Sequence, residues 1–299
     1  MGVGFDVLPG GVPGRAFFSH DSQEASVTNL SLPKKPVDYF RNITTLAIVV
    51  AVVWSLIGLE IKWERLIDLP ADLLLIGTLM FGNMNIDDFP NLAGAMWESI
   101  SIAWVGTLIA ALFAIPLSFL AAENLVGRPI AWVIRQVFNI LRAVPEVILA
   151  IALIPIFGLT PLTGVLAIGI GSIGTLGKLF YEVIESIKKD PLEAADAVGA
   201  NKLVRFRWGV LPQVMPEMTS FVLYRFEVNI RASAVMGLIG AGGIGNDVAL
   251  ALRFKDWEVA GMGLLIVIGG TILVDAISGA ARKQIIRGTN AKTLTPVEV

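Results

Sequence analysis

Five ionisable side chains stand inside stretches of the chain that are otherwise apolar. They are Arg142, Glu146, Arg225, Glu227 and Arg231. A charged side chain within a membrane span is costly unless it faces protein or water. The guanidinium of arginine is planar and can hold two oxygens of an anion at once. These arginines could therefore line a path for an anionic solute, with the glutamates preventing the solute from being trapped there.

The spacing of these charges also allows a purely structural role. Arg142 and Glu146 have the i, i+4 spacing of a helix face, and Glu227 and Arg231 repeat it. Each pair would partly neutralise itself and could lock helices together. Both interpretations stay open for these four residues. Arg225 is different, because Glu227 lies two residues away on another helix face, so a purely structural role of Arg225 would need a partner elsewhere in the fold.

The composition is that of a polytopic membrane protein. Of the 299 residues, 55% are hydrophobic and 16% are charged, whereas soluble proteins carry about 25% charged residues. A net charge of −2 leaves no basic surface for nucleic acid. The absence of cysteine excludes disulfides and thiol catalysis. His20, the single histidine, lies in a polar N-terminal stretch and is expected to be solvated.

Six apolar segments are long enough to cross a membrane. They are residues 44–59, 100–122, 130–157, 162–184, 214–239 and 257–277. The fourth is rich in glycine, which suits close helix packing. Residues 60–95 hold only shorter apolar pieces and are expected to form an extramembrane or interfacial elaboration. The sequence therefore predicts an all-α integral membrane protein, with a tail over 1–40, a transmembrane domain over 41–290 and a second tail over 291–299.

Most basic residues fall on one side of this arrangement. They cluster before the first span, between the fourth and fifth spans, and after the sixth span. Arg128 lies in the segment between the second and third spans. Such a bias marks the cytoplasmic side. Both termini are therefore predicted to be cytoplasmic. The bias is not perfect, because Lys62, Arg65, Arg253 and Lys255 lie on the opposite side.

A polar loop over residues 188–212 separates the fourth and fifth spans. Asp190 suits the N-cap of a helix, Pro191 its first position and Glu193 its third. This helix is predicted over 191–198. Gly199 can adopt the left-handed conformation that ends a helix. A second helix is expected over 202–208, stopped by Leu211 and Pro212. An ordinary cytoplasmic helical hairpin would show the same features.

One run of residues resembles the EAA loop of ABC-importer permeases. The residues that carry this resemblance are Glu193, Ala194, Ala195, Gly199, Leu211 and Pro212. In that family the loop forms coupling helices that insert into separate ATP-hydrolysing subunits. The resemblance therefore implies that these residues couple the chain to an ATPase.

A second region resembles the phosphonate-importer subfamily of these permeases. It comprises residues 225–233, the Arg142–Glu146 run, and a periplasmic-side glycine element at Gly240, Gly242, Gly243 and Gly245. The resemblance covers about residues 40–290. The glycine element alone is less specific, because methionine-type permeases carry a similar one. It is no nucleotide-binding loop, since it follows a membrane span and not a strand.

The resemblance implies the permease subunit of an importer for phosphonate or a related phosphorus oxyanion in the inner or plasma membrane. No Walker A motif occurs in the chain, so ATP and Mg²⁺ are expected on partner ATPase subunits, with no cofactor, metal or catalytic residue here. The implied partners are an ATPase dimer, a second permease (identical or a close paralogue) and an extracytoplasmic binding protein.

Three other functions compete with this interpretation. A methionine-type or other small-solute importer is the first. A membrane enzyme acting on lipid head groups is the second, and it lacks a nucleophile with its base or a metal cluster in the spans. A structural membrane scaffold is the third, and it would not require arginines within its spans.

Overall fold

The computed structural model describes residues 39–58, 63–82, 84 and 86–293, and all regular structure in them is helical. The prediction of an all-α protein is confirmed. His20 and most of the two predicted tails lie outside the described residues. The chain divides into two compact units, Met1–Trp63 and Glu64–Val299. The first unit contributes α1, Tyr39–Gly58, an apolar helix with no buried residue.

Eleven further helices follow in chain order. They are α2 Trp63–Phe81, α3 Phe89–Ala121, α4 Glu123–Val126, α5 Arg128–Ala143, α6 Glu146–Phe157, α7 Pro161–Glu185, α8 Asp190–Ala197, α9 Lys202–Arg205, α10 Leu211–Gly237, α11 Ile244–Phe254 and α12 Trp257–Thr293. A 3₁₀ turn, Ile86–Asp88, leads into α3, and a π-helical turn, Phe206–Val210, joins α9 to α10. The last helix thus continues past residue 290, where the predicted domain ends.

Four of the described helices are long and apolar enough to span a membrane: α1, α3 with its 3₁₀ turn, α7 and α12 up to Ile285. A fifth span results if α5 and α6 are counted together. The remaining predicted span, 214–239, coincides with α10. This 27-residue helix is long enough to cross a membrane. Because it carries Glu217, Arg225, Glu227 and Arg231, it is less apolar than the four helices above and is not counted among them. The orientation of the termini stays a prediction.

The predicted third span is broken between Ala143 and Glu146. The axes of α5 and α6 differ by 85° across this break, where Val144 and Pro145 are both extended. Proline disfavours the helical conformation of the residue before it and lacks the N–H that a continuous helix would use. The predicted third span, 130–157, therefore consists of two helices that meet at a sharp bend.

Helices α3 and α7 form the most extensive helix pair, and small residues bring them together. A Cβ atom added at Gly106 of α3 would lie 2.9 Å from Cγ2 of Ile168 in α7. A Cβ added at Gly177 of α7 would lie 2.3 Å from the ring of Phe138 in α5. The packing role predicted for the glycines of this span is confirmed. Helix α10 packs against both α3 and α7 and carries polar side chains into their interface.

Candidate functional site

The charges inside the helices do not pair as their spacing predicted. The break at Pro145 leaves Arg142 on α5 and Glu146 on α6, so they do not share a helix face. Glu146 instead forms an ion pair with Arg225 of α10. Glu227 is buried and pairs with Arg282 of α12 rather than with Arg231. The predicted i, i+4 self-pairs are therefore wrong, and both ion pairs of α10 join different helices.

Arg225 belongs to a buried hydrogen-bond network that joins α3, α7 and α10. Its Nε donates to the Ser172 hydroxyl at 2.9 Å. The Asn229 amide donates to the same hydroxyl at 3.1 Å and to Thr107 Oγ1 at 2.8 Å. Thr107, Ser172 and Asn229 have no solvent-exposed surface. We call Thr107, Ser172, Arg225 and Asn229 the Asn229 network.

Sequence reasoning missed three members of this network. Thr107, Ser172 and Asn229 are uncharged, so they hardly alter a hydropathy profile. One signal was available, because Asn229 follows Arg225 by the four residues that bring two side chains to one helix face. An amide at that position in a span is expected to have a hydrogen-bond partner on another helix.

Glycines of α7 make room for two of the charged side chains. A Cβ added at Gly171 would lie 2.6 Å from Cγ of Glu146, and one at Gly174 would lie 2.8 Å from Cγ of Arg142. Ser172 lies between these glycines, so the middle of α7 packs against Glu146 and its partner Arg225, and the stem of Arg142 packs three residues further along, at Gly174.

Arg142 and Arg231 are exposed on the surface of this chain. Arg142 is in the last turn of α5, and Arg231 lies two residues beyond the buried Asn229 in α10. Guanidinium groups are rarely found against lipid, because their desolvation is costly. These two positions therefore indicate surfaces that water or another protein covers in the membrane.

The first helix of the 188–212 loop, α8, ends at Ala197, and Gly199 adopts the left-handed conformation predicted for it. Gly199 has φ +69°, its N–H donates to the Asp196 carbonyl at 3.0 Å, and the Ala200 N–H donates to the Ala195 carbonyl at 3.0 Å. These two bonds form a Schellman motif. The predicted N-cap is wrong, because Lys189 precedes the helix and Asp190 is already its first residue, without a side-chain cap.

The second part of the loop runs without interruption into the next long helix. The Asn201 side chain caps α9 by accepting the Val204 N–H at 2.9 Å. The chain then continues through the π-helical turn into α10, whose first residue is Leu211. The prediction that Leu211 and Pro212 stop this helix is therefore wrong. Pro212 falls in the first turn of α10, where proline is tolerated.

The loop has a fixed inner face. Leu192 is buried in one core cluster with Val210. The Gln213 side chain accepts the Lys188 N–H at 3.0 Å and donates to the Gly209 carbonyl at 2.6 Å. These contacts hold α8 against the start of α10.

The outer face of the loop is apolar and open. Val198, Leu203 and Trp208 are 82%, 74% and 70% exposed. Three large exposed apolar side chains within eleven residues of one loop are typical of a segment that another molecule covers. We call Val198, Leu203 and Trp208 the loop apolar face.

A cavity of about 730 Å³ lies beside α8, between the loop and the end of α3. Glu193 lines this cavity together with the basic residues Lys189, Lys202 and Arg205. Arg205 also contacts Asp196 of α8 at 3.5 Å. The acidic side chains of α8 thus face the basic side chains that flank it.

The glycine element forms a tight corner between α10 and α11. Gly240, Gly242 and Gly243 have φ of +87°, +82° and +71°, which disfavour any residue with a side chain. The Ile244 N–H donates to Ser99 Oγ at 3.0 Å, which ties the corner to α3. A helix of the length of α10 extends about 40 Å, so this corner and the 188–212 loop lie at opposite ends of that helix. In the part of the chain that the structure describes, no group of acidic or histidine residues could hold a metal.

Comparison with known proteins gives one family. The profile of the family described as "Binding-protein-dependent transport system inner membrane component" matches residues 114–287. The chain is 40% identical over 188 residues to the phosphite transport system permease protein PtxC of Stutzerimonas stutzeri, covering 62% of this chain and 68% of that protein.

Two further proteins are similar to this chain. It is 42% identical over 121 residues to the putative cryptic phosphonate transport system permease protein PhnE2 of Escherichia coli K12, covering 40% of this chain and 99% of the relative. The fold is similar to that in inward-facing structures of the MetNI methionine ABC transporter, with a TM-score of 0.60 and 17% identity over 68% of this chain and 99% of that chain. This last likeness concerns the fold alone.

Proposed function

Because this chain belongs to the family of binding-protein-dependent transport system inner membrane components, we propose that its importer carries a phosphorus oxyanion. The chain is a multi-pass permease subunit of an ABC importer in the inner membrane. The observation that carries the choice of substrate class is the 40% identity with a phosphite permease. A methionine-type importer is the second candidate, supported by the shared fold at 17% identity.

The charges that pack against α7 support an anionic substrate. Arg142 and Arg225 supply positive potential near the middle of the span, and Glu146 partly offsets it, so that an anion is held weakly enough to leave. We infer that Arg142 and Arg231 are exposed on this chain because they face a water-filled pathway beside a second permease subunit. Glu227, with its partner Arg282, connects α10 to α12 at the edge of this pathway.

The loop over 188–212 supports contact with an ATPase. The proposed coupling residues are Glu193, Ala194, Ala195, Gly199, Leu211 and Pro212. Of these, Glu193, Ala194, Gly199 and Pro212 are exposed, and the adjoining loop apolar face offers an apolar contact surface. ATP and Mg²⁺ bind to the partner ATPase subunits in this proposal, and the chain itself has no ATPase site. The glycine element, at the other end of α10, lies on the side from which the binding protein delivers the substrate.

Uptake by the reconstituted complex tests the substrate class. The permease and its ATPase subunits are reconstituted in proteoliposomes, and ATP is supplied on the side of the membrane that carries the ATPase subunits. The binding protein is added on the other side. Phosphite, methylphosphonate, phosphate and methionine are each tested in a separate uptake assay. We expect ATP-dependent uptake of at least one phosphorus oxyanion and none of methionine. Uptake of methionine alone would reject the proposal in favour of the second candidate.

Labelling of single cysteines tests the orientation. The chain has no cysteine, so Lys202→Cys and Arg253→Cys each introduce one reactive thiol at an exposed position. In intact cells an impermeant maleimide is expected to label position 253 and to spare position 202 until the membrane is permeabilised. Labelling of position 202 from outside would invert the predicted topology.

A further inference from the structure

The two edges of the Arg225 guanidinium have different partners. Its Nε edge is fixed by the Ser172 hydroxyl at 2.9 Å, and its terminal Nη2 contacts the Glu146 carboxylate. We propose that Glu146 occupies the place of the substrate oxyanion in this conformation, and that an arriving phosphorus oxyanion displaces it from Arg225. This inference rests on the proposed function, because it assigns the binding site of that substrate.

The uncharged members of the Asn229 network orient Arg225, and Arg225 alone contacts the substrate. The Ser172 oxygen accepts from Arg225 and from Asn229, and the Ser172 hydroxyl donates to Asn229 Oδ1 at 3.3 Å. The Thr107 hydroxyl donates to the Ala103 carbonyl at 2.6 Å. Their donors are therefore engaged within the protein. The terminal end of Arg225, where Glu146 is the partner, is therefore the part that a displacing ligand would contact, and it can bind two oxygens of a tetrahedral anion.

The position of Glu146 at the start of α6 allows its side chain to move away from Arg225 and to return. It is the first residue of α6, directly after the break at Pro145, so its side chain is not confined by a preceding helical turn. A carboxylate in the first turn of a helix is stabilised by the helix dipole. Glu146 therefore keeps a favourable environment when Arg225 turns to another anion.

Gly171 of α7 makes the Arg225–Glu146 contact possible. The three nearest atoms that a Cβ at this position would meet all belong to Glu146, the closest at 2.6 Å. A methyl group there would meet the Glu146 side chain first and push it away from α7. Gly171→Ala thus removes the internal competitor without removing its charge.

The internal carboxylate sets a threshold for the substrate. A ligand displaces Glu146 from Arg225 only if it binds Arg225 more tightly than the Glu146 carboxylate does. A phosphorus oxyanion offers two or three oxygens on one centre and a second negative charge, whereas a monocarboxylate offers no advantage over Glu146. Because occupation by Glu146 lowers the fraction of sites ready for substrate, it raises the apparent dissociation constant in proportion.

Direct binding measurements test the proposal. The permease–ATPase complex in nanodiscs, without binding protein, is titrated with phosphite by calorimetry. Glu146→Gln and Gly171→Ala are expected to bind phosphite about tenfold or more tightly than the unmodified complex, as for a site otherwise occupied in nine of ten molecules. Glu182→Gln is the matched control. This carboxylate lies on the exposed side of α7, where it pairs with Lys178.

The positioning role has its own measurement. In the Glu146→Gln background, Ser172→Ala is expected to weaken phosphite binding about tenfold, and Ser172→Thr is expected to restore it, because only the hydroxyl fixes the Nε edge. Ser118→Ala is the control, since that buried hydroxyl bonds to a carbonyl of its own helix. A merely structural role of Ser172 would lower the unfolding temperature and leave the phosphite affinity unchanged.

The outcomes separate this inference from the proposed function. If the unmodified complex takes up phosphorus oxyanions but Glu146→Gln and Gly171→Ala bind phosphite no more tightly, the internal competitor is rejected and the transport function stands. If the unmodified complex takes up none of these anions, the proposed function is rejected. If Glu146→Gln fails to assemble, Gly171→Ala, which keeps every charge, decides the question.

Discussion

Arg225→Met is expected to abolish uptake of the phosphorus oxyanion. Each hydrogen bond to a charged group contributes about 1.5–3 kcal/mol, and methionine removes both bonds that the guanidinium end can give to the anion. Uptake should therefore fall by more than about a hundredfold. Transport is measured in proteoliposomes with saturating binding protein, and assembly is followed by size-exclusion chromatography.

A second substitution separates lost transport from lost folding. Arg225→Met leaves Glu146 without its partner, and breaking a buried ion pair in this way costs about 3–5 kcal/mol. The double variant Arg225→Met, Glu146→Gln removes both charges and should assemble normally, yet remain inactive. Arg225→Lys should recover only part of the uptake, because lysine keeps the charge and loses the planar fork.

The result that would remove Arg225 from the pathway is a normal uptake rate in the double variant. In that case the pair would serve only to neutralise itself between α6 and α10. The pair of Glu227 with Arg282 provides the comparison, because Glu227→Gln with Arg282→Met removes a second ion pair of α10. The two double variants are expected to differ sharply in uptake and little in assembly.

The helices of this protein could be predicted because their signals are local. Apolar runs marked α3, α7 and α12, and the glycine that ends α8 was recognisable from its place after a short polar helix. The limits of local signals appear at α8 itself. Asp190 suits an N-cap by type, yet the preceding residues already turn, so that Lys189 precedes the helix and Asp190 becomes its first residue.

The partners of the charges could not be predicted from spacing. The i, i+4 rule describes one uninterrupted helix, and the break at Pro145 removes that condition for Arg142 and Glu146. The actual partner of Glu146 lies 79 residues further along the chain, and that of Glu227 lies 55 residues away. Such pairs depend on how helices pack, which a single sequence does not encode in any local pattern.

The Asn229 network likewise depends on how the helices pack and not on a local sequence pattern. Thr107 and Asn229 are separated by 122 residues, and neither carries a charge that would single it out in an apolar segment. Their contact follows from the close approach of α3, α7 and α10, which small residues permit. The sequence therefore predicted that Arg225 needs a partner elsewhere if its role is structural, and the packing of the helices determines which residues contact it.

Gly199→Val is expected to uncouple ATP hydrolysis from uptake. Gly199 has φ +69°, and a left-handed backbone costs an ordinary L-residue about 1–2 kcal/mol, more for a β-branched one. A Cβ there would meet no atom within 4 Å, so the effect comes from the backbone and not from a clash. The Schellman turn would open and change the angle between α8 and α9, which carry the surface proposed to contact the ATPase.

A matched substitution isolates that backbone effect. Gly199→Asn adds a side chain of similar size, but asparagine tolerates the left-handed conformation. We expect Gly199→Val to assemble with the ATPase and hydrolyse ATP while uptake falls at least about tenfold, in line with a penalty of about 1.4 kcal/mol or more. Gly199→Asn should stay close to the unmodified protein in both measurements.

Glu193→Lys tests the same surface through charge. Glu193 faces Lys189, Lys202 and Arg205 across one cavity and lies in the first turn of α8, where a negative charge is favoured. Lysine would add a fourth positive charge to this group and oppose the helix dipole. We expect the ratio of ATP hydrolysed to anion transported to rise in both Gly199→Val and Glu193→Lys. If both variants instead transport at the unmodified rate with an unchanged ratio, the loop is a solvated hairpin, and the contact with the ATPase lies on another surface of the chain.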